Sequence, residues 1–279
     1  MALIDALSTP LQYSFIQNAL LIASAVAIAA GLLSCWLVLI GWSLLGDAIS
    51  HAVLPGVVLA YVAGVPFAVG ALVAALVTVT VLQVVSSRST LKEDASIGIV
   101  FTTLFAVGLV LITLVPGAGH VQEILFGNVL GMTTSAMIQV AVCVGAGLAI
   151  IAAGGRAFTL WAFDPIHART LGFPLLIVRM ALLVALALIT VAGVQAVGVI
   201  LVVALLITPG ATAYLLTNRF RRMLVIAPLV AWVSAVAGIM LSFYLDVSAA
   251  GTIVSVMSAQ FAAAFLFGKR EGLLRRRAT

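Results

Sequence analysis

The chain has 279 residues, of which 65% are hydrophobic and only 8% charged, and its formal net charge is +5. A soluble domain has roughly 25% charged residues, so this composition excludes an ordinary water-soluble protein and indicates an integral membrane protein. Apolar runs of about 18 to 25 residues, the length of a membrane-crossing α-helix, alternate with short polar breaks. They lack the ten-residue alternation of a β-barrel. We therefore predict an all-α, polytopic transmembrane bundle over residues 1–279, with no separate soluble domain.

Hydropathy divides the chain into nine apolar spans. In chain order they lie near residues 14–41, 52–63, 66–87, 96–116, 124–153, 175–192, 196–217, 223–244 and 249–268. The second span has only about twelve residues, which is too short to cross the membrane alone. We predict that it is a half-helix or part of a bent segment with the next span. The bundle then has eight or nine crossings, one of them short or broken.

The positive charges indicate the orientation of the chain. All thirteen Lys and Arg residues lie in or beside four segments, and the polar breaks between those segments have none. Because cytoplasmic segments of membrane proteins carry an excess of Lys and Arg, these four segments and the C-terminus are predicted to face the cytoplasm. The side of the N-terminus depends on the number of crossings and stays open. The four segments are residues 88–94, 156–174, 218–222 and 269–279.

Two ionisable residues stand out in the stretch GWSLLGDAISHAVLPG. Asp47 and His51 are four residues apart, so a helix places them on one face. Pro55 follows and would break or kink the helix. An ionisable side chain at mid-bilayer costs roughly 2.5 to 3.5 kcal/mol, so it tends to mark a transport pathway. Carboxylate plus imidazole suits Mn²⁺ or Fe²⁺ better than Zn²⁺. Alternatively, the two side chains only hydrogen-bond each other or cap a helix end.

A second motif, WAFDPIHARTLGFP, lies in a basic loop at residues 161–174. Asp164 and Pro165 have the order of an N-cap residue followed by proline at the first helical position. The motif predicts a short amphipathic helix of about two turns, ended by a glycine. This helix is either a connector between two spans or a docking site for a cytosolic partner. The residues assigned to the docking site are Asp164, Pro165, His167, Arg169 and Gly172.

The chain lacks the motifs of several enzyme classes. Its two lysines do not belong to a GxxxxGK[ST] phosphate-binding loop, so we predict that the chain is not an enzyme and that any ATP hydrolysis occurs in partner subunits. Cys35 and Cys143 each lie in an apolar run and are interpreted as packing residues. His120 and Glu123 lie in an outer loop and indicate either a solvated turn or an access point for the ion. The alternative function is a secondary transporter or channel for divalent cations without an ATPase partner.

The sequence resembles the membrane permease subunit of bacterial ABC importers for manganese, iron and zinc. The stretches GWSLLGDAISHAVLPGVVLAY, LKEDASIGIVF, EILFGNVLG, FDPIHARTLG and VGVILVVALLITPGATAYLL carry the resemblance, which covers most of the chain. The form SHAVLPG is more typical of the manganese and iron branch than of zinc permeases. This resemblance leads us to expect Mn²⁺ or Fe²⁺ as the transported substrate and no permanently bound cofactor.

The resemblance also implies partners and residue roles. The family works in the bacterial plasma membrane with a second permease chain, identical or paralogous, two cytosolic ATPase subunits and an extracytoplasmic metal-binding protein. It implies that Asp47 and His51 line the translocation path. It further implies that residues 163–172 form the coupling helix that sits in a groove of the ATPase.

Overall fold

The computed structural model describes residues 10–90, 92–115 and 131–268. Over these ranges the regular structure is helical, and none of these residues forms a β-strand. The α-helices are α1 Ser14–Ile40, α2 Ser43–Ala52, α3 Leu54–Ala63, α4 Phe67–Arg88, α5 Glu93–Leu114, α6 Thr134–Phe163, α7 Pro165–Thr170, α8 Leu175–Val197, α9 Val199–Leu216, α10 Phe220–Leu245 and α11 Ala249–Phe267.

Within the described residues, nine segments are long and apolar enough to cross a membrane. The all-α bundle is therefore confirmed, with the higher of the two predicted numbers of crossings. Eight of the segments are single helices, whereas the ninth, Ser43–Ala63, combines α2 and α3. Of the two alternatives for the short second span, the half-helix is confirmed, because α3 is the second half of the broken segment Ser43–Ala63 and not part of a bent segment with α4.

The break between α2 and α3 has a local cause. Val53 separates the two helices, and Pro55 lies in the first turn of α3. A proline has no N–H, so Pro55 cannot donate the helical hydrogen bond to the carbonyl of His51. The prediction that Pro55 interrupts the helix after His51 is thus confirmed.

Two other helix boundaries differ between the sequence prediction and the structure. Helix α6 continues to Phe163, beyond the predicted end of its span at residue 153, so residues 161–163, predicted as the beginning of the basic loop, are helical. The turn between α8 and α9 consists of Gly198 alone, and not of residues 193–195. Gly198 has φ 84° and ψ 165°, a conformation that is essentially restricted to glycine. Helices α8 and α9 therefore form a hairpin with a one-residue turn.

Helices α1, α8 and α9, with the broken segment Ser43–Ala63, are the most buried spans of the bundle. Helix α1 packs against α9 and α10, and α8 packs against α6 on its other side. On α9, a Cβ atom at Gly210 would lie 2.5 Å from the carbonyl oxygen of Ser34 on α1. Glycine at this position thus allows the backbones of α9 and α1 to approach closely. Pro209 lies inside α9, which stays helical through it.

Helices α3 and α4 form a second close contact. A Cβ atom added at Gly56 of α3 would overlap the carbonyl oxygen of Gly70 on α4, and the reverse holds for Gly70. Glycine is required at both positions because the two backbones touch. This contact joins α3 firmly to α4, whereas α2 packs mainly against α5, α8 and α9.

Candidate metal-binding site

Asp47 and His51 lie together on the exposed face of α2. Nε2 of His51 is 3.5 Å from Oδ1 of Asp47, and the side chains are 34% and 39% exposed, respectively. A good N–H···O hydrogen bond is about 2.7 to 3.2 Å long, so this pair does not form a strong one. Two ligand atoms that are each about 2.1 Å from one metal ion lie roughly 3.0 to 3.4 Å apart. The observed separation is thus close to that of two ligands of the same ion.

The opposite face of α2 is fixed by tight packing. Gly46 contacts Leu206 of α9 so closely that a Cβ atom would lie 2.7 Å from the Cδ1 atom of Leu206. Ser50 is fully buried, and its hydroxyl donates a 2.7 Å hydrogen bond to the carbonyl of Asp47. The contact of Gly46 with α9 and the burial of Ser50 set the rotation of α2, which leaves the carboxylate and the imidazole partly exposed.

The imidazole of His51 is also held by two aromatic rings. The ring centroid of His51 lies 5.7 Å from that of Phe101 and 5.3 Å from that of Phe105, both on α5. Edge-to-face and tilted aromatic pairs at such distances are favourable. Sequence analysis missed these two residues. The available signal was their spacing of four residues, which places both on one face of a helix.

The two-residue set is incomplete as a metal site. Among the described residues, no group of three or more His, Cys, Asp and Glu residues could hold a metal ion. Cys35 and Cys143 are free and buried in the bundle, which agrees with their interpretation as packing residues. His120 and Glu123 lie outside the described residues. An ion bound here therefore needs ligands other than a third His, Cys, Asp or Glu residue of the described part of the chain.

The second predicted motif folds as its local chemistry requires. Oδ1 of Asp164 accepts a 2.9 Å hydrogen bond from the backbone N–H of His167, and Pro165 occupies the first turn of α7. Gly172 follows the helix with φ 81°, the left-handed conformation that often ends helices. The predicted capped helix is confirmed, although α7 has only six residues and is shorter than two turns.

Helix α7 has one buried anchor and an apolar exposed surface. Ala168 is 1% exposed, whereas Ile166 is 78% and Leu171 is 58% exposed. His167 and Arg169 are exposed beside them. A short helix that turns large apolar side chains outward, outside the membrane spans, has the composition of a protein contact surface.

One further contact links this region to α2. The guanidinium of Arg179, in the second turn of α8, lies 5.2 Å from the ring centroid of Trp42 and donates a 3.4 Å hydrogen bond to Ser86. Trp42 is the residue before α2 and packs edge-on against Trp161 of α6 at 5.3 Å. The beginning of α8, just after α7, therefore contacts the base of the helix that carries Asp47 and His51.

A membrane bundle with an ionisable pair on a broken span is the arrangement expected of a membrane transport protein. Residues 12–268 match the ABC 3 transport family, and the chain belongs to that family. This assignment confirms the resemblance to ABC permease subunits that the sequence motifs carry.

Individual relatives agree with the family assignment. The chain is 46% identical to the manganese transport system membrane protein MntC of Halalkalibacterium halodurans over 270 residues, which cover 95% of this chain and 91% of the relative. It is 42% identical to the chelated iron transport system membrane protein YfeD of Yersinia pestis, with coverages of 95% and 89%. Among solved structures it is similar to PsaBC from Streptococcus pneumoniae in complex with Fab, with 34% identity, a TM-score of 0.85 and 98% of each chain covered.

Proposed function

We propose that this chain is the permease subunit of an ATP-driven importer of divalent metal ions and that Asp47 and His51 bind the ion in transit. The observation that carries the proposal is the geometry of the pair. A carboxylate oxygen and an imidazole nitrogen lie 3.5 Å apart on a broken membrane span, and both side chains are about one-third exposed. Ionisable groups in a span mark a pathway more often than a packing contact, because burying them unused is costly.

A weak site is what transport requires. A dication that enters a medium of low dielectric loses its hydration, so the pathway must supply replacement ligands. An ion held by a closed cage would not leave, whereas two ligands from this chain allow release. The same two residues from a facing second permease chain, with water, complete a coordination of about six, which Mn²⁺ and Fe²⁺ accept.

The ion is Mn²⁺ or Fe²⁺ in this proposal. The ligand set is one carboxylate and one imidazole, and the thiols of Cys35 and Cys143 are buried elsewhere. Oxygen and imidazole ligands suit manganese and iron, whereas zinc sites more often recruit cysteine or further histidines. The relatives named for manganese and for chelated iron support the same choice.

The energy for transport comes from ATPase subunits that dock on residues 163–172. The exposed Ile166 and Leu171 supply apolar contact area, and Arg169 supplies a charge beside them. The cap on Asp164 holds this short helix together when its partner pushes on it. An extracytoplasmic metal-binding protein delivers the ion to the opposite end of the bundle.

Nine crossings and the basic segments determine the orientation that we propose. With residues 88–94 and 218–222 in the cytoplasm, an odd number of crossings places the N-terminus outside and the C-terminus inside.

Contacts between helix ends support the proposed alternation of helix directions across the membrane. The end of α4 meets the beginning of α8 through Ser86 and Arg179, and at the other end Gln195 donates a hydrogen bond to Gln139. Trp42 then lies on the cytoplasmic side, below the ion site.

Substitution of the two ligands tests the proposal. In the assembled transporter, Asp47→Ala, His51→Ala and Asp47→Asn should each abolish most Mn²⁺ and Fe²⁺ uptake, because each removes a ligand or its charge. Asp246→Asn is the matched control, since it makes the same change at an exposed turn residue whose left-handed backbone asparagine tolerates. Near-normal uptake by assembled Asp47→Ala and His51→Ala variants would leave the pair a structural contact.

The same reconstituted system separates this function from that of a secondary transporter or channel. Proteoliposomes that contain the permease and its ATPase subunits should take up the ion only with ATP. Uptake that persists without ATP, driven by an ion gradient alone, would favour the alternative.

A further inference from the structure

A groove of about 670 Å³ opens between α1, α6 and α10. Helix α2, which carries the candidate metal site, packs mainly against α4, α5, α8 and α9, so the groove belongs to a different face of the bundle. The floor and walls of the groove are mostly apolar. They include Leu32, Ile151, Leu160, Phe163, Phe220 and Leu224.

Two arginines lie at this otherwise apolar groove. Arg156 of α6 and Arg221 of α10 both line it, and both are exposed. Among the described residues, no carboxylate lies within 4 Å of the guanidinium of Arg156 or Arg221, so neither arginine is neutralised by a described carboxylate. The groove thus combines an apolar floor with two positive charges that have no described anionic partner.

The depth of the two arginines matches the membrane interface. Helix α6 has 30 residues and is therefore about 45 Å long, which exceeds a hydrocarbon core of roughly 30 Å. Arg156 lies seven residues before the end of α6, and Arg221 is the second residue of α10. Both guanidinium groups are thus near the basic end of the bundle, while Leu32 and Ile151 extend the groove toward the hydrocarbon.

The wall of the groove is rigid. The indole N–H of Trp36 donates a 3.1 Å hydrogen bond to Thr159, and its ring packs edge-on against Phe158 and Phe220. A groove whose shape is set by such contacts is available to a ligand without rearrangement, which lowers the entropic cost of binding.

We propose that this groove is a binding site for one anionic phospholipid. Its phosphate would contact Arg156 and Arg221, because a guanidinium donates paired hydrogen bonds to phosphate oxygens. One acyl chain would lie along the apolar floor. Basic pockets between membrane helices bind anionic headgroups in this way. The groove borders an exposed apolar flank of α10 that includes Val225 and Leu229, so an acyl chain could enter it from the side, which favours a lipid over a protein segment.

The test counts lipids that stay bound to the full transporter complex during purification in mild detergent, by native mass spectrometry. The double variant Arg156→Gln and Arg221→Gln removes both charges but keeps hydrogen-bonding side chains. Arg222→Gln is the matched control, because Arg222 is exposed at the same end and does not line the groove. If each arginine contributes about 1 kcal/mol to the binding free energy, the double variant should bind phosphatidylglycerol about 30-fold more weakly. The Arg222→Gln variant should bind it like the parent protein.

A second variant tests the acyl-chain floor without changing charge. Gly155 lines the groove, and a Cβ atom there would lie 3.9 Å from Cζ2 of Trp36, so Gly155→Leu fits the backbone and fills the groove. It should also reduce the retention of phosphatidylglycerol.

Three results would overturn the proposal. In the first, the double variant retains as much phosphatidylglycerol as the parent protein. In the second, the parent protein binds phosphatidylcholine and phosphatidylglycerol equally. In the third, the double variant loses a protein subunit while its lipid retention is unchanged. The last result would identify the groove as a protein contact. None of these outcomes depends on Asp47 or His51, so the proposed metal site is tested separately.

Discussion

The two phenylalanines beside His51 should control the affinity of the transporter for its ion. Phe101 and Phe105 contact the imidazole at centroid distances of 5.7 and 5.3 Å. Each such pair contributes about 0.5 to 1.5 kcal/mol, so the two together hold the observed orientation of His51 by about 1 to 3 kcal/mol. If this orientation binds the ion, the double variant Phe101→Ala and Phe105→Ala should raise the half-saturating Mn²⁺ concentration by roughly 5- to 150-fold.

The assay is the dependence of Mn²⁺ uptake on concentration in proteoliposomes that contain the assembled transporter. Phe105→Leu keeps an apolar side chain but removes the ring, so it should have an intermediate effect. Phe265→Ala provides the control, because it truncates an exposed ring on α11 that stacks on Phe261 at 6.3 Å, remote in sequence from the site. An unchanged half-saturating concentration in the Phe101→Ala and Phe105→Ala double variant would refute the reasoning.

Three further predictions concern orientation, coupling and packing. The orientation is tested with single cysteines in a background without the two native cysteines. An impermeant maleimide should label Val247→Cys on intact cells but Asn218→Cys only after permeabilisation. The reverse pattern would show the opposite topology. Asp164→Ala removes the N-cap of α7, so it should destabilise this helix by about 0.5 to 2 kcal/mol and reduce co-purification of the ATPase. Asp164→Asn should retain the cap and the co-purification. Full co-purification of the ATPase with the alanine variant would indicate that α7 is a simple connector. Gly56→Ala should overpack the contact between α3 and α4, reduce the free energy of unfolding by about 1 to 3 kcal/mol and lower the unfolding temperature. Gly145→Ala is the control, because a Cβ atom there meets open space. Equal unfolding temperatures of the two variants would contradict the close contact.

Sequence analysis predicted the features that depend on local chemistry. The length of the apolar runs defined most of the spans because a helix needs a fixed number of residues to cross the hydrocarbon. The cap on α7 was predictable because Asp164 and Pro165 act within one turn of themselves. Asp47 and His51 were found because two ionisable residues are conspicuous in an apolar chain.

The same two residues hid the span to which they belong. Asp47 and His51 lower the hydropathy of residues 43–52, so the hydropathy spans include only residues 52–63 of the broken segment, although the spacing of the pair predicts a helix before them. Arg156 had a similar effect near the end of α6. Functional groups in a membrane helix thus weaken the signal by which that helix is found.

Contacts between distant segments could not be predicted. Phe105 lies 54 positions after His51, and Arg179 lies 137 positions after Trp42, so hydropathy and spacing carry no information about either pair. These contacts follow from how α5 and α8 pack around α2, which the periodicity of a uniformly apolar chain does not reveal.

The one-residue turn at Gly198 limits how the bundle can move. Only residues 171–174 separate α8 from α7, and α9 packs against α2, so the hairpin of α8 and α9 connects the proposed docking helix to the helix that carries the candidate metal site. A single residue between two helices leaves them little freedom to move relative to each other. If α7 docks a partner as proposed, a shift of α8 along its axis should move α9 with it.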